Sequence, residues 1–380
     1  MILTGLFAPG EQCSAAAALG MAYFFVLKAQ NAFDVRWCRG NIGDKIFAPW
    51  VAQLAARPRV DLAFGRRVVG FEARGGSGAA QPTLRAVEVE RADDRGREVL
   101  ECDAVVFAVG MGALRAFSRA PALAAHSEFR EMANLRCARA PPHAPTPSPE
   151  PHPPCPARSP GGSGGREAAA AGRGRGTDVL ATRLFLDGPV DAPYSANACW
   201  GFDDRVGMTW FDLRTLHAPA YDGEAGAVLE VDFYHAGALL ALSDEDIVAR
   251  AKAALDAMLP AARERAVLDA AVVRLPQAVN WYFPGSYAAC PRTRSAALGN
   301  VFFAGDVVRD LRHGAWSQEK ALVAGLAAAN AVRGLPDLRG VLPLRPDEPH
   351  VALGRAASRA ARAAAASLGM RPPSLADFIW

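Results

Sequence analysis

Residues Asn300-Val-Phe-Phe-Ala-Gly-Asp306 form a short apolar run that ends in a glycine and an acidic residue. The chain then continues into His313-Gly-Ala-Trp-Ser-Gln-Glu-Lys-Ala-Leu-Val-Ala-Gly-Leu-Ala-Ala-Ala-Asn330, which is rich in small residues. This pattern predicts a buried strand over Asn300–Ala304, a glycine turn, and a helix over about Trp316–Arg333. A glycine after a strand lets the backbone approach a ligand closely, and a helix start offers unpaired N–H groups. The spacing alone favours an ordinary strand–loop–helix connection.

Two segments of this stretch carry a family resemblance. Phe302–Asp306 and Ser317–Gly325 resemble the C-terminal flavin signature of the FAD-dependent amine oxidase and phytoene (carotenoid) desaturase superfamily. In that family an A-G-D triplet precedes a helix that reads approximately S-x-E-G-A-x-x-S-G. Lys320 stands where the family often has Gly, and Ala324 where it often has Ser. Further similar segments are Val60–Phe71, Asp103–Val109, Val272–Ala278 and Phe283–Tyr287, while Trp37–Trp50 most resembles the carotenoid-desaturase branch.

The resemblance implies FAD as the cofactor and a set of residues that bind it. The implied cofactor-binding residues are Val68, Gly305, Asp306, Ser317, Gln318, Glu319 and Ala321. The backbone of Val68 is expected at the adenine end, and Gly305 and Asp306 near the ribityl chain or the pyrophosphate. The amides of residues 317–319 are expected at the pyrimidine edge of the isoalloxazine. No catalytic side chain and no metal ligand are expected, because the flavin N5 accepts the hydride.

An aromatic cluster precedes the A-G-D triplet, where relatives line the cavity beside the flavin. The expected substrate-lining residues are Trp281, Tyr282, Phe283, Tyr287 and Trp316. Aromatic residues at strand ends are also common in cores, so core packing stays open as the alternative. For His313 the alternatives are a role in proton transfer and a structural hydrogen bond.

The implied fold is α/β, with an FAD/NAD(P)-binding, glutathione-reductase-like flavin lobe built from separated segments and a mixed α+β substrate lobe. We expect residues 34–136 and 291–335 in the remaining flavin lobe and residues 1–33 and 177–290 in the substrate lobe. Residues 137–176 hold ten of the 28 prolines and a glycine-rich run, which predicts a disordered insertion. Residues 336–380 form a C-terminal tail.

The family's N-terminal strand–G-x-G-x-x-G–helix is missing from the sequence. Gly110-Met-Gly112 follows an apolar run but lacks the third glycine. The sequence therefore predicts that the N-terminal dinucleotide-binding βαβ unit is absent, that Met1 falls inside the substrate domain of a longer ancestor, and that this chain retains flavin weakly or not at all.

Hydrophobic periodicity predicts the remaining elements. The predicted helices are Ser14–Ala32, capped by Ser14, then Lys45–Ala56, and Ser243–Met258, in which Ser243 and Asp246 resemble a capping box. The predicted strands are Val60–Ala73, Thr83–Arg91, Arg97–Val109, Asp178–Leu186, Gly207–Phe211, Ala227–Tyr234 and Val267–Arg274. The continuous apolar run Asp103–Val109 predicts a strand buried on both faces. Ala321, Gly325 and Ala328 predict a smooth helix face for tight packing.

Charge and composition exclude some function classes. The chain has 42 basic and 39 acidic residues, and the net excess of +3 equals the excess of five Arg over two Glu within residues 137–177. No folded surface is therefore shown to be basic, and nucleic-acid binding is not expected. In the Ala-rich tail Val351–Leu368, Arg355, Arg359 and Arg362 share one helix face, which suits a solvated surface, an acidic partner or a membrane surface. Seven scattered cysteines show no metal-ligand spacing.

The leading hypothesis is an FAD-dependent oxidoreductase that removes hydride from an apolar, polyene-like small molecule, with desaturase-like chemistry favoured over amine oxidation. The alternatives are a flavin amine oxidase and a non-catalytic truncated relative. A peripheral membrane contact that collects the substrate is an expected partner. The desaturase resemblance implies a plastid if the source is an alga or a plant; the sequence does not specify the compartment or the oligomeric state.

Overall fold

The computed structural model describes residues 5–23, 36–75, 80–133, 177–199, 201–203, 205–280, 282–309, 311 and 318–370. The expected insertion, together with Trp281, His313, Trp316 and Ser317, lies outside these residues. The described chain is a mixed α/β structure. Its strands are β1 (Arg66–Arg74), β2 (Thr83–Arg91), β3 (Arg97–Glu101), β4 (Val105–Phe107), β5 (Thr177–Leu186), β6 (Ala196–Cys199), β7 (Gly207–Asp212), β8 (Val228–Tyr234), β9 (Val267–Val279) and β10 (Val301–Phe303). Its helices are α1 (Ala15–Ala22), α2 (Ala48–Ala55), α3 (Met111–Phe117), α4 (Pro121–Ala124), α5 (Ser127–Ala133), α6 (Leu213–Leu216), α7 (Ala218–Tyr221), α8 (Asp244–Met258), α9 (Ser286–Ala289), α10 (Gln318–Val332) and α11 (Pro349–Ser367).

The first sheet is the antiparallel meander β1–β2–β3. Alternation along β2 places Leu84 and Ala86 in the core, as period-two patterning predicts, whereas Val89 is also buried but lies out of this alternation. The first strand begins at Arg66, later than the predicted Val60, because residues 57–65 form turns and loop around Gly65, which has φ 65°.

The strands β4 and β10 pair in parallel, with Val301 opposite Val105 and Phe303 opposite Phe107. The predicted burial of β4 on both faces is wrong, because Val106 is 42% exposed. Among the described strands β4 pairs with β10 alone, so little covers the outer side of Val106. The three residues of β10 are all buried, as the sequence predicts.

A core rich in aromatic residues joins these two sheets to helices α3, α5 and α10. Phe107 lies between Phe71 and Phe303, with ring centroids 5.5 and 5.7 Å away, and Phe129 contacts Phe303 at 6.1 Å. The buried residues of α10 are Lys320, Ala324, Ala327, Ala328, Asn330 and Ala331. The predicted tight-packing face is therefore displaced: Ala328 is buried, whereas Ala321 and Gly325 are half-buried, and a Cβ at Gly325 would meet no atom within 4 Å.

The second core lies between α8 and one face of a five-stranded sheet of order β6-β7-β8-β5-β9. The predicted cap of α8 is confirmed, since Ser243 Oγ accepts a hydrogen bond of 3.1 Å from the Asp246 amide. Ile247, Ala251 and Leu255 are buried on one face of the helix, which is the predicted i, i+4, i+8 pattern. Strand β9 runs past the predicted end at Arg274 to Val279. The division of the chain into flavin and substrate lobes stays a prediction.

The N-terminal helices differ from their predictions in detail. Ser14 is the N-cap of α1, but its side chain makes no capping hydrogen bond; its amide instead donates to the carbonyl of Tyr282 at 2.6 Å. The described part of α1 ends at Ala22, and residues 24–35 lie outside the described chain. The predicted helix Lys45–Ala56 is a π-helical turn over Gly43–Phe47 followed by α2.

Candidate functional site

The carboxyl ends of β4 and β10 lie at one edge of the parallel pair, where ligands bind in many α/β proteins. The Ala304 amide donates to the Phe107 carbonyl at 3.0 Å and so continues the pairing to this edge. Gly305 then turns the chain with φ 108°, a conformation that side chains other than glycine rarely adopt. Within the described part of the chain, a Cβ built at Gly305 would meet no atom within 4 Å, so the described residues leave the space beside this turn open to a ligand.

A hydrogen-bonded relay fixes the Asp306 carboxylate at this turn. Asn280 Nδ2 donates to Asp306 Oδ1 at 2.8 Å, and the Met111 amide donates to Asn280 Oδ1 at 3.0 Å. The Tyr282 hydroxyl donates to the Asp306 carbonyl at 3.1 Å. The relay holds together three segments that are far apart in the sequence: the end of β9, the start of α3 and the turn after β10.

Lys320 places a buried positive charge close to this carboxylate. Lys320 is 4% exposed and lies on the buried face of α10. Burial raises the pKa of Asp306, while the Lys320 ammonium and the Asn280 hydrogen bond lower it. Burial also raises the pKa of Cys290 to about 11, although Lys320 acts against it. The turn therefore combines an acceptor carboxylate and a cation within an apolar surrounding, where charge interactions are stronger than in water.

The structure brings together only part of the predicted cofactor-binding set. Gly305 and Asp306 lie at the edge described above, and Gln318 and Glu319 are exposed in the first turn of α10. Val68 pairs with Val89 in the meander and packs against the same apolar core. Ala321 is half-buried, and Ser317 lies outside the described residues.

The described members of the predicted substrate lining are largely in the core. Tyr282 is 3% and Phe283 8% exposed, and Tyr282 belongs to the aromatic-rich core. Tyr287 is half-buried and packs against the same core. Core packing, the alternative left open above, is therefore what the structure shows for these side chains; their role as a lining stays a prediction.

Sequence reasoning missed Asn280 and did not assign Lys320 a role. Asn280 is a polar residue directly after an apolar strand and just before the aromatic segment, which is a weak signal for a site. The sequence marked Lys320 only as the residue that stands where the resembled family often has Gly. Neither residue lies within 13 positions of Asp306 in the sequence, so only the fold shows that they share its surroundings.

Two surface clefts lie away from this turn. One, of about 360 Å³, is lined by four arginines, Arg66, Arg67, Arg91 and Arg95. The other, of about 430 Å³, includes Arg74, Arg85 and Asn300. Neither cleft is lined by a predicted cofactor-binding residue. Within the described ranges, no group of His, Cys, Asp and Glu could hold a metal ion, and no helix has the length and apolar character needed to cross a bilayer.

Comparison with known proteins gives structural likeness alone. No family model matches the chain, and no curated protein matches it. Similar solved structures include a geranylgeranyl bacteriochlorophyll reductase-like protein from Thermoplasma acidophilum, at 12% identity and TM-score 0.35 over 76% of this chain and 53% of that one. FqzB matches at 13% identity and TM-score 0.36, over 74% of this chain and 50% of that one. The anhydrotetracycline hydroxylase OxyS from Streptomyces rimosus matches at 14% identity and TM-score 0.34, over 95% of this chain and 60% of that one.

The chain thus spans 50% to 60% of the length of these solved structures. Similarity at these TM-scores carries no argument about the function of this chain. What can be inferred about function therefore depends on the residues at the Gly305 turn.

Proposed function

We propose that this chain is an FAD-dependent oxidoreductase whose flavin is held between the Gly305 turn and the first turn of α10. One observation carries the proposal: a positive-φ glycine with open space beside it ends a buried parallel strand and is followed at once by a fixed carboxylate. The resemblance of Phe302–Asp306 and Ser317–Gly325 to the family's flavin signature supports the same cofactor.

Each residue at the turn has a physical role toward the cofactor. Gly305 allows backbone contact, since it presents no side chain. Asp306, oriented by Asn280, is placed to accept a hydrogen bond from a ribityl or ribose hydroxyl. The first turn of α10, at Gln318 and Glu319, lies at the positive end of the helix dipole, which favours a negatively charged or carbonyl-bearing ring edge. The positive charge of Lys320 acts in the same direction. When bound, FAD supplies the two-electron acceptor.

Within this class we propose desaturase-like chemistry on an apolar, polyene-like substrate. The similarity of Trp37–Trp50 to the carotenoid-desaturase branch supports this choice over amine oxidation. The part of the protein in such a reaction is to bind an apolar molecule and to exclude water. A non-catalytic relative remains the second candidate, because the 380-residue sequence contains no G-x-G-x-x-G element.

The cofactor proposal is tested by titrating the chain with FAD and measuring flavin fluorescence anisotropy. We expect weak, saturable binding that falls about tenfold or more in Asp306→Ala, since a hydrogen bond to a charged acceptor contributes roughly 1.5–3 kcal/mol. The matched control is Asp222→Ala, an exposed carboxylate, which should bind as the wild type does. Absence of saturable binding, or equal binding by both variants, would overturn the proposal.

The reaction class is tested on FAD-supplemented protein by product analysis. A linear carotene that gains double bonds supports the desaturase proposal. Peroxide formed from an amine panel, without change to the carotene, would replace it with amine oxidation. FAD binding without turnover of either substrate class would favour the non-catalytic relative.

A further inference from the structure

The C-terminal helix α11 forms without help from a core. It contains no buried residue over its 19 residues, which corresponds to a length of about 28 Å. The sequence features that favour this helix are local. They are Pro349 in its first turn, many alanines, and Gly369, with φ 67°, after its end. The Met370 amide donates to the Ala365 carbonyl at 2.8 Å and the Gly369 amide to that of Ala366 at 3.1 Å, which is a Schellman motif.

Helix α11 has two chemically different faces. At 100° per residue, Arg355, Arg359 and Arg362 lie together on one side. The opposite side carries only apolar residues and one histidine: His350, Leu353, Ala357, Ala360, Ala361, Ala364 and Leu368. Leu353 and Leu368 are each 72% exposed. The sequence therefore specifies an amphipathic helix whose apolar face is in solvent.

One ionic cluster attaches the start of α11 to the body of the protein. Arg355 donates to Asp347 Oδ2 and to the Tyr23 hydroxyl, both at 2.5 Å, and its guanidinium lies 5.1 Å from the centre of the Tyr23 ring. This contact is on the arginine side of the helix, so the face that carries Leu353 and Leu368 points away from the contact.

The charges of α11 indicate the kind of surface that it fits. Residues 349–370 contain three arginines and no acidic residue. Arg359 and Arg362 are exposed, and the described chain offers them no ion pair. A second copy of α11 would add apolar surface but no carboxylate for these arginines. A bilayer that contains anionic lipid supplies both an apolar phase and negative charge.

We propose that α11 is an interfacial helix that binds the chain to anionic lipid bilayers, with Leu353 and Leu368 at the acyl boundary and Arg359 and Arg362 at the headgroups. This inference is independent of the cofactor and reaction proposed above. It differs from a membrane span, because a helix of this composition lies in the interface.

Co-sedimentation of the full chain with lipid vesicles tests the proposal. The vesicles are phosphatidylcholine alone and an equimolar mixture of phosphatidylcholine and phosphatidylglycerol. We expect binding to the mixture and little to the neutral lipid, and binding that falls as salt is added. Arg359→Gln with Arg362→Gln should weaken the apparent partition constant about 25-fold, at about fivefold per arginine. The matched control is Arg57→Gln with Arg59→Gln, two exposed arginines, which should leave binding unchanged.

A second pair of variants tests the apolar face. Leu353→Glu with Leu368→Glu should abolish vesicle binding, whereas Leu268→Glu with Leu342→Glu should retain it, because Leu268 and Leu342 are similarly exposed, at 71% and 88%. Circular dichroism confirms that each variant keeps the helix content of the wild type. Equal binding to both vesicle types, no binding to either, or loss of a dimer in place of lipid binding in the leucine variants would overturn the proposal.

Discussion

The carboxyl group of Asp232 should make the stability of this protein fall as the pH rises. Asp232 lies on β8, on the sheet face opposite α8, between Glu230 and Tyr234. Its Oδ2 accepts a long hydrogen bond of 3.4 Å from the Tyr234 hydroxyl, which also lies 2.7 Å from Thr209 Oγ1. Burial, and then the nearby charge of Glu230, raise the pKa of Asp232 from 3.8 to about 7.

The sign and the size of the effect follow from linkage. When the pKa of a carboxyl group is higher in the folded chain, the free energy of unfolding is greatest while both states are protonated, and it falls as the pH rises from the unfolded pKa through the folded pKa. Below about pH 4 the group has no differential effect, and above about pH 7 its cost is constant. At about 1.4 kcal/mol per tenfold change in proton affinity, the shift from 3.8 to about 7 corresponds to about 4 kcal/mol at alkaline pH.

The variant Asp232→Asn removes the charge and keeps the shape and the polar partner. The measurement is the free energy of unfolding by urea, followed by tryptophan fluorescence between about pH 4 and about pH 9. We expect the free energy of unfolding of the variant to exceed that of the wild type by about 4 kcal/mol at the alkaline end, with a difference that shrinks to zero near about pH 4.

Asp222→Asn is the control, since Asp222 is exposed and its charge stays in solvent. A difference between Asp232→Asn and the wild type that does not vary with pH, or a variant that is less stable than the wild type at alkaline pH, would refute the reasoning.

Three further predictions concern the cores and the helix ends. Ser243→Ala removes the cap of α8 and should lower the free energy of unfolding by about 1 kcal/mol. Leu255→Ala opens a cavity at a fully buried site and should lower the same quantity by about 2–5 kcal/mol, whereas Leu268→Ala at an exposed site should change it by less than about 0.5 kcal/mol. Cys290 is 2% exposed and burial raises its pKa to about 11, so a maleimide at neutral pH should label it only after unfolding, as peptide mapping would show.

Local signals predicted the parts of the fold that depend on neighbours in the sequence. Helix α8 was predicted to within a residue because Ser243, Asp246 and the spacing of Ile247 and Leu255 all act within one helix. The meander β1–β3 was predicted because alternation and turn residues are local as well. The turn at Gly305 also appeared in the sequence as a strand end followed by glycine.

Predictions that depended on distant partners were less accurate. The apolar run at β4 indicated burial on both faces, but burial of Val106 depends on which strands lie beside it, and the sequence does not state the sheet order. The relay through Asn280 was missed for the same reason, since it connects residues 169 positions apart. On α10, the buried face follows the direction of packing, which placed Lys320 inside and left Gly325 half-buried.

The central claim is that FAD binds at the Gly305 turn and the start of α10. Its most direct test is hydrogen exchange of the full chain with and without excess FAD, read at individual peptides. The account predicts slower exchange in the peptides that cover residues 301–309 and 318–324, and less slowing there in Asp306→Ala at the same FAD concentration. Exchange that is unchanged by FAD, or that slows only elsewhere, such as at the arginine-lined cleft around Arg66 and Arg95, would contradict it.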